Sequence, residues 1–316
     1  MLWSQDELPR RRAGIGSRSF KSLRFPLWTQ NKARLIQAYL QLFVYITRHG
    51  TYIDGFAAPQ DADHLGTWAA KLVLEMEPRR MRDIWLCDLS PKGAAKLEEL
   101  RTVHMAPELK PKRRITVLAG DFNTRVFEIL QSGRITDKTA TFALLDQRTF
   151  ECEWRSVEAL SRHKTTNKIE LFYFFPTGWI DRSIAAVRRP EKREEVERWW
   201  GRPDWAALRG MGGLERARLV ASRFEQELGY GKAEVFPIHD EKYGGRVMYH
   251  MIHASDHPEA LPLMVRAYRK VSGRPDLEGK EEQLDMIDLL RDIQDEGAAD
   301  CRTESASPKP GCSPSL

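Results

Sequence analysis

Four aspartates offer the chemistry in this sequence. Asp54, Asp88, Asp121 and Asp146 each stand at or just past the end of an apolar run: "GTYID", "DIWLCD", "RITVLAGD" and "TATFALLD". Carboxylates on one rim repel each other unless something cationic or rich in hydroxyl donors lies between them. In an open α/β sheet, ligands bind beyond the carboxyl ends of the strands, where the strand order reverses. S-adenosylmethionine brings a cationic amino group, a ribose diol and an adenine to such a rim. The competing reading is that acids at strand ends cap helices and satisfy loop amides.

The elements that must position these acids alternate along the chain. An amphipathic helix is expected over residues 29–48, with Thr29 as N-cap. The strand "GTYID" follows, then a helix over 66–77. The strand "DIWLCD" leads to a helix opened by Ser90 and Pro91 and running to about Val103. "RITVLAGD" precedes a helix over 123–130; "TATFALLD" and "KIELFYFFP" are the fourth and fifth strands. Continuously apolar strands separated by helices mean a parallel sheet covered on both faces. After a mostly helical stretch, 180–229, "KAEVFPIHD" and "RVMYHMIHAS" flank "EKYGG", which reads as an antiparallel hairpin. The layout is that of an α/β, Rossmann-like methyltransferase fold: a mostly parallel seven-stranded sheet, helices on both faces and a terminal antiparallel hairpin. The expected organisation is a basic, partly disordered leader (1–25), one domain (26–275) with a helical elaboration at about 180–229, and a C-terminal helix and disordered tail (276–316).

On that frame each position takes a role. Gly55, Ala57 and Ala58 carry little or no side chain and let backbone approach a ligand. Asp54 would hold the amino-acid end of the cofactor and Asp88 both ribose hydroxyls. Asp121 would sit near the adenine, with Asn123 capping the next helix. Phe56, Leu89 and Phe122 flank these positions and complete the cofactor-binding set. Asp146 would face the methyl group and its acceptor.

The chain has 316 residues, 41% of them hydrophobic, and a net charge of +5. No run approaches the roughly 18 apolar residues that would cross a bilayer, and no signal peptide is legible. Cys87, Cys152, Cys301 and Cys312 are scattered, so neither a zinc site nor a disulfide framework is indicated. A cytoplasmic protein without a membrane segment is expected. Residues 1–34 hold eight Lys or Arg against Asp6 and Glu7, a net of +6 that could track phosphates or be a solvated leader. Trp199, Trp200 and Trp205, with Arg198 and Arg202, either stack nucleobases or pack a helical elaboration onto the sheet. His239, His250, His253 and His257 crowd the hairpin. His250 and His253 fall on opposite faces of a strand, which disfavours a shared metal.

"YIDGFAAP", Gly66, "AGDFN", "FALLDQRTFECEW", "FYFFPTGWIDR" and "MYHMIHASDHP" occur in that order. Together they resemble the three-Cys-motif partner protein (TcmP) family, from about Lys32 to Lys270. The resemblance implies a methyltransferase-like protein, a nucleic-acid substrate and a radical-type partner protein that carries the three cysteines. The family usually reads "DGFAGPG" where this chain has Ala58 and Gln60 in place of glycines. It usually reads "DPFG" or "DPYG" where this chain has Asp146-Gln147-Arg148-Thr149. Asp146, Gln147 and Arg148 are the candidate catalytic residues, with Arg148 able to stack on a base or pair with a phosphate. Losing the proline and the aromatic ring leaves a second reading, a catalytically degenerate subunit that serves the partner enzyme.

Overall fold

Every residue of β1 (Gly50–Asp54), β4 (Thr141–Leu145) and β5 (Glu170–Phe175) is buried. Strands buried on both faces must lie in the middle of a covered sheet, and they do. The computed structural model describes residues 32–59, 67–187, 189–241 and 244–272. With β2 (Met81–Asp88), β3 (Arg114–Ala119), β6 (Lys232–Glu241) and β7 (Gly244–Ser255), they form one seven-stranded sheet in the order β3-β2-β1-β4-β5-β7-β6. The first five strands run parallel, whereas β7 is antiparallel to both β5 and β6. That order, with its single reversed strand in the terminal hairpin, defines the Rossmann-like methyltransferase fold. The order reverses between β1 and β4, so the ligand crevice of the fold lies at their carboxyl ends.

Helices α1 (Lys32–Thr47), α2 (Ala69–Leu74), α3 (Pro91–His104), α4 (Phe122–Gln131) and α5 (Trp154–Arg162) flank the parallel strands. Between β5 and β6 lie α6 (Thr177–Ala186), α7 (Pro190–Trp200), a 3-10 turn over Pro203–Gly210 and α8 (Gly213–Gln226). The chain closes in α9 (Ala260–Ser272). Alternation assigns the faces. Phe142 and Phe172 meet Tyr39 and Phe43 of α1 in ring contacts of 5.0 to 6.2 Å, and Tyr52 stacks on Phe142. Ile53, Cys87, Leu145, Tyr173 and Phe175 face the opposite layer, with Trp154, Trp199 and Phe224.

Two elements differ from their sequence reading. α5 and α9 have no counterpart in the sequence reading: Glu153 at the N-cap of α5 makes no side-chain cap bond, whereas α9 is punctuated in the sequence by Pro258, Pro262 and Gly273. The cap of α4 is Asp121, whose Oδ1 accepts from the Asn123 amide at 3.0 Å, so Asn123 is a capped residue and not the cap. Thr29, Gln60, Gly66, the basic leader and the stretch after 272 lie outside the described residues. Among the described residues no helix is long and apolar enough to cross a membrane.

Candidate functional site

The site begins with strand register. Asp54 ends β1 opposite Leu144 of β4, so Asp146 lies two residues further along the neighbouring strand and on the same face. Both project toward α1 and line one cavity of about 100 Å³, with Lys32, Phe56, Ala57, Ala58, Trp68 and Tyr249 among its walls.

Asp54 is almost fully buried. Its Oδ2 accepts from Tyr52 Oη at 2.9 Å and its Oδ1 from the Phe56 amide at 3.1 Å. Burial pushes its carboxyl up to about 7; the two hydrogen bonds oppose this rise, and the charges of Asp146 and Asp88 add to it. The loop after Asp54 then crosses to β2. The Ala57 amide donates to Cys87 O at 2.7 Å, the Ala58 amide to Asp88 Oδ2 at 3.3 Å, and Trp68 Nε1 to Ala57 O at 2.6 Å. Asp88 also accepts from the Ser90 amide at 2.8 Å, which turns the chain into α3. Half-buried Asp88 sits beside Leu89, which is 73% exposed. A single exposed leucine is ordinary on a protein surface; its place directly after Asp88 puts an apolar side chain next to that carboxylate.

The fourth acid is paired. Lys32 Nζ lies 2.6 Å from each carboxylate oxygen of Asp146, and both side chains are mostly buried. The ammonium also stands 4.8 Å from the Phe174 ring centre and 5.1 Å from that of Tyr249. Lys32, Trp68, Phe174 and Tyr249 escaped the sequence reading. For Lys32 a signal existed: it shares the buried stripe of α1 with Leu35, Ile36, Tyr39 and Phe43, and a cation on an apolar stripe needs a partner.

Of the expected cofactor residues, Asp54, Phe56 and Ala57 line the cavity; Asp88 and Leu89 lie beyond it on the rim. Three positions differ. Gly55 does not open backbone to a ligand: a Cβ there would meet the Phe122 ring at 3.1 to 3.2 Å, so the glycine makes room for that buried ring. Phe122 is therefore a core side chain, in contact with Phe56 at 5.8 Å. Asp121 is exposed and its carboxylate is engaged by Asn123. Of the expected catalytic trio, only Asp146 reaches the cavity. Gln147 is fully buried, with Oε1 accepting from the Cys152 amide at 3.1 Å. Arg148 is exposed, and its amide is held by Glu151. One residue of alternation at the end of β4 sends Gln147 into the opposite layer.

The tryptophan cluster is core. Trp199, Trp200 and Trp205 are buried, Arg223 lies between Trp154 and Trp200 at 3.7 and 4.3 Å, and Arg198 and Arg202 pair with Glu153 and Glu227. Nucleobase stacking on these rings is thereby ruled out, because no ring face is open. His250 and His253 have separate partners: Thr177 Oγ1 lies 2.6 Å from His250 Nδ1, and Glu170 Oε1 lies 2.6 Å from His253 Nε2.

The donor set fits S-adenosylmethionine in chemistry: carboxylates for an ammonium and a diol, an apolar side chain for a base. A cavity of about 100 Å³ is smaller than the roughly 300–1,000 Å³ of ligand pockets. The cavity alone would therefore not enclose such a molecule; Asp88 and Leu89 lie outside it.

No protein-family model matches the chain, and neither does any curated protein. Among solved structures, the chain is similar to that of a selenomethionine-substituted CurJ carbon methyltransferase: 13% identity, a TM-score of 0.39, and coverage of 66% of this chain and 49% of that one. The match thus spans about half of that protein's length. The fold assignment rests on strand order and direction, not on this likeness.

Proposed function

We propose that this chain binds S-adenosylmethionine at the carboxyl ends of β1 and β2, and that it is a methyltransferase-like protein of the three-Cys-motif partner type acting on nucleic acid. One observation carries the reading: at the switch point of a methyltransferase fold, Asp54 and Asp146 line one cavity, and Asp88 and exposed Leu89 continue its rim. Asp54 would hold the cofactor's amino group, Asp88 its ribose hydroxyls and Leu89 its adenine. When bound, the cofactor supplies an electrophilic methyl group, and catalysis consists largely of alignment. Asp146 would orient the acceptor and take its proton. The radical-type partner rests on the family resemblance, and the nucleic-acid substrate on that resemblance and, weakly, on the basic leader.

Isothermal titration of the full chain with S-adenosylmethionine tests the cofactor assignment. Saturable binding is expected. A cationic amino group beside Asp54 should also expel the proton that its carboxyl holds near pH 7, so the heat should vary with the ionisation enthalpy of the buffer. Asp88→Ala should weaken binding by about tenfold, equivalent to about 1.4 kcal/mol. Absence of binding heat sinks the proposal.

A second reading, a catalytically degenerate subunit, is favoured by the Lys32 ammonium on Asp146 and by Gln147 and Arg148 standing away from the cavity. Binding without transfer of labelled methyl to DNA, RNA or a partner protein would select it.

A further inference from the structure

Lys32 ends in surroundings that its own helix does not provide. Both oxygens of Asp146 grip its ammonium at 2.6 Å, from 114 residues away in sequence. The Phe174 and Tyr249 rings flank it at 4.8 and 5.1 Å. Side-chain exposure is 10% for Lys32 and 11% for Asp146. Removing an ammonium from water is costly unless a counter-charge and further favourable contacts replace the lost hydration. Here a carboxylate supplies the charge, and two ring faces supply cation–π attraction. A carboxylate beside two aromatic rings is also how a receptor would hold a primary alkylammonium. The lysine side chain beyond Cβ is itself a propylammonium, tethered to α1. Tethering raises its effective concentration, so it outcompetes free amines of equal chemistry. The same ammonium forms part of the wall of the cavity that Asp54 lines.

We infer that Asp146, Phe174 and Tyr249 form a binding site for a small primary alkylammonium, and that Lys32 is its resident intramolecular occupant. The inference goes beyond the cofactor reading of the adjoining cavity and does not depend on it. Recognition requires three elements: the carboxylate, the ring walls and room for the alkyl stem. Lys32→Ala removes the stem and the ammonium and leaves the other two in place.

The test is chemical rescue. Thermal melts of the full chain are recorded in propylammonium chloride and in sodium chloride of equal ionic strength, without S-adenosylmethionine. Lys32→Ala should melt several degrees below wild type and regain most of that loss in millimolar propylammonium. Wild type should not respond, because Lys32 fills the site. Lys32→Met should not respond, because its side chain occupies the space of the lysine stem. Lys32→Ala combined with Asp146→Asn should not respond, because the carboxylate is gone. If Lys32→Ala does not fold unaided, the readout becomes refolding from urea, in which propylammonium should restore a folded fraction. Indifference of Lys32→Ala to propylammonium overturns the proposal, as does an equal response from wild type or from the double variant. Failure to bind S-adenosylmethionine in titration would leave this result untouched, so the two readings fail separately.

Discussion

Asp54 is a carboxyl that the fold holds against its ordinary tendency to ionise. Its proton is bound more tightly in the folded chain, near 7, than in the unfolded one, near the ordinary 3.8. The folded state therefore carries more protons between about pH 4 and 7, and stability falls as pH rises through that window. Asp54→Asn removes the titration while keeping an oxygen for the Tyr52 hydroxyl or the Phe56 amide. In urea melts, wild type should lose stability relative to Asp54→Asn as pH rises from 4 to 8. The difference should be on the order of 2–4 kcal/mol at the upper end. Parallel pH profiles for the two proteins would show that Asp54 titrates normally. His250 has the opposite sign. Burial, with the charges of His239 and Arg218, holds its imidazolium down to about 4, so its neutral form is favoured and stability falls as pH drops from about 6.5 toward 4.

At the scale of elements, the rim depends on how closely α3 approaches β2. Gly93 lies in the first turn of α3, where Ser90 accepts from its amide at 3.4 Å. A Cβ at Gly93 would fall on Asp88 Oδ1 and lie 2.7 Å from Ala58 Cβ. The smallness of this position lets Asp88 reach both the Ala58 amide and the start of the helix. Gly93→Ala must displace Asp88 or α3, an overpacking that costs about 1–3 kcal/mol. It should lower the urea midpoint and, on the proposed reading, weaken S-adenosylmethionine binding as Asp88→Ala does. An unchanged midpoint would mean that Asp88 can swing aside freely. At the amino end of β5, inside the sheet, Glu170 joins Tyr39 of α1 to His253 and Ser255 of β7. That buried network fixes α1 against the strands and so fixes where Lys32 points.

Across the whole molecule, protection should follow strand position. β1, β4 and β5 are buried along their length and paired on both sides, whereas β3 and β6 are the sheet's edges. In native-state hydrogen exchange, amides of β1, β4 and β5 should open only with global unfolding, and those of β3 and the outer side of β6 earlier. Uniform protection across all seven strands would contradict this hierarchy.

The strand runs, the terminal hairpin and the aspartates at the strand ends were legible in the sequence. Burial on both faces writes a continuous apolar run, and a Gly-rich turn between two such runs writes a hairpin. These are local signatures, and they imply the fold class. The partner that each acid takes is not a local property. Lys32 and Asp146 are 114 residues apart, Gln147 turns inward by one step of alternation, and the three tryptophans lie inside a layer that only α7, α8 and the sheet together close. Sequence determined which groups reach the rim. Packing between distant elements determined which of them are engaged there by the protein's own atoms.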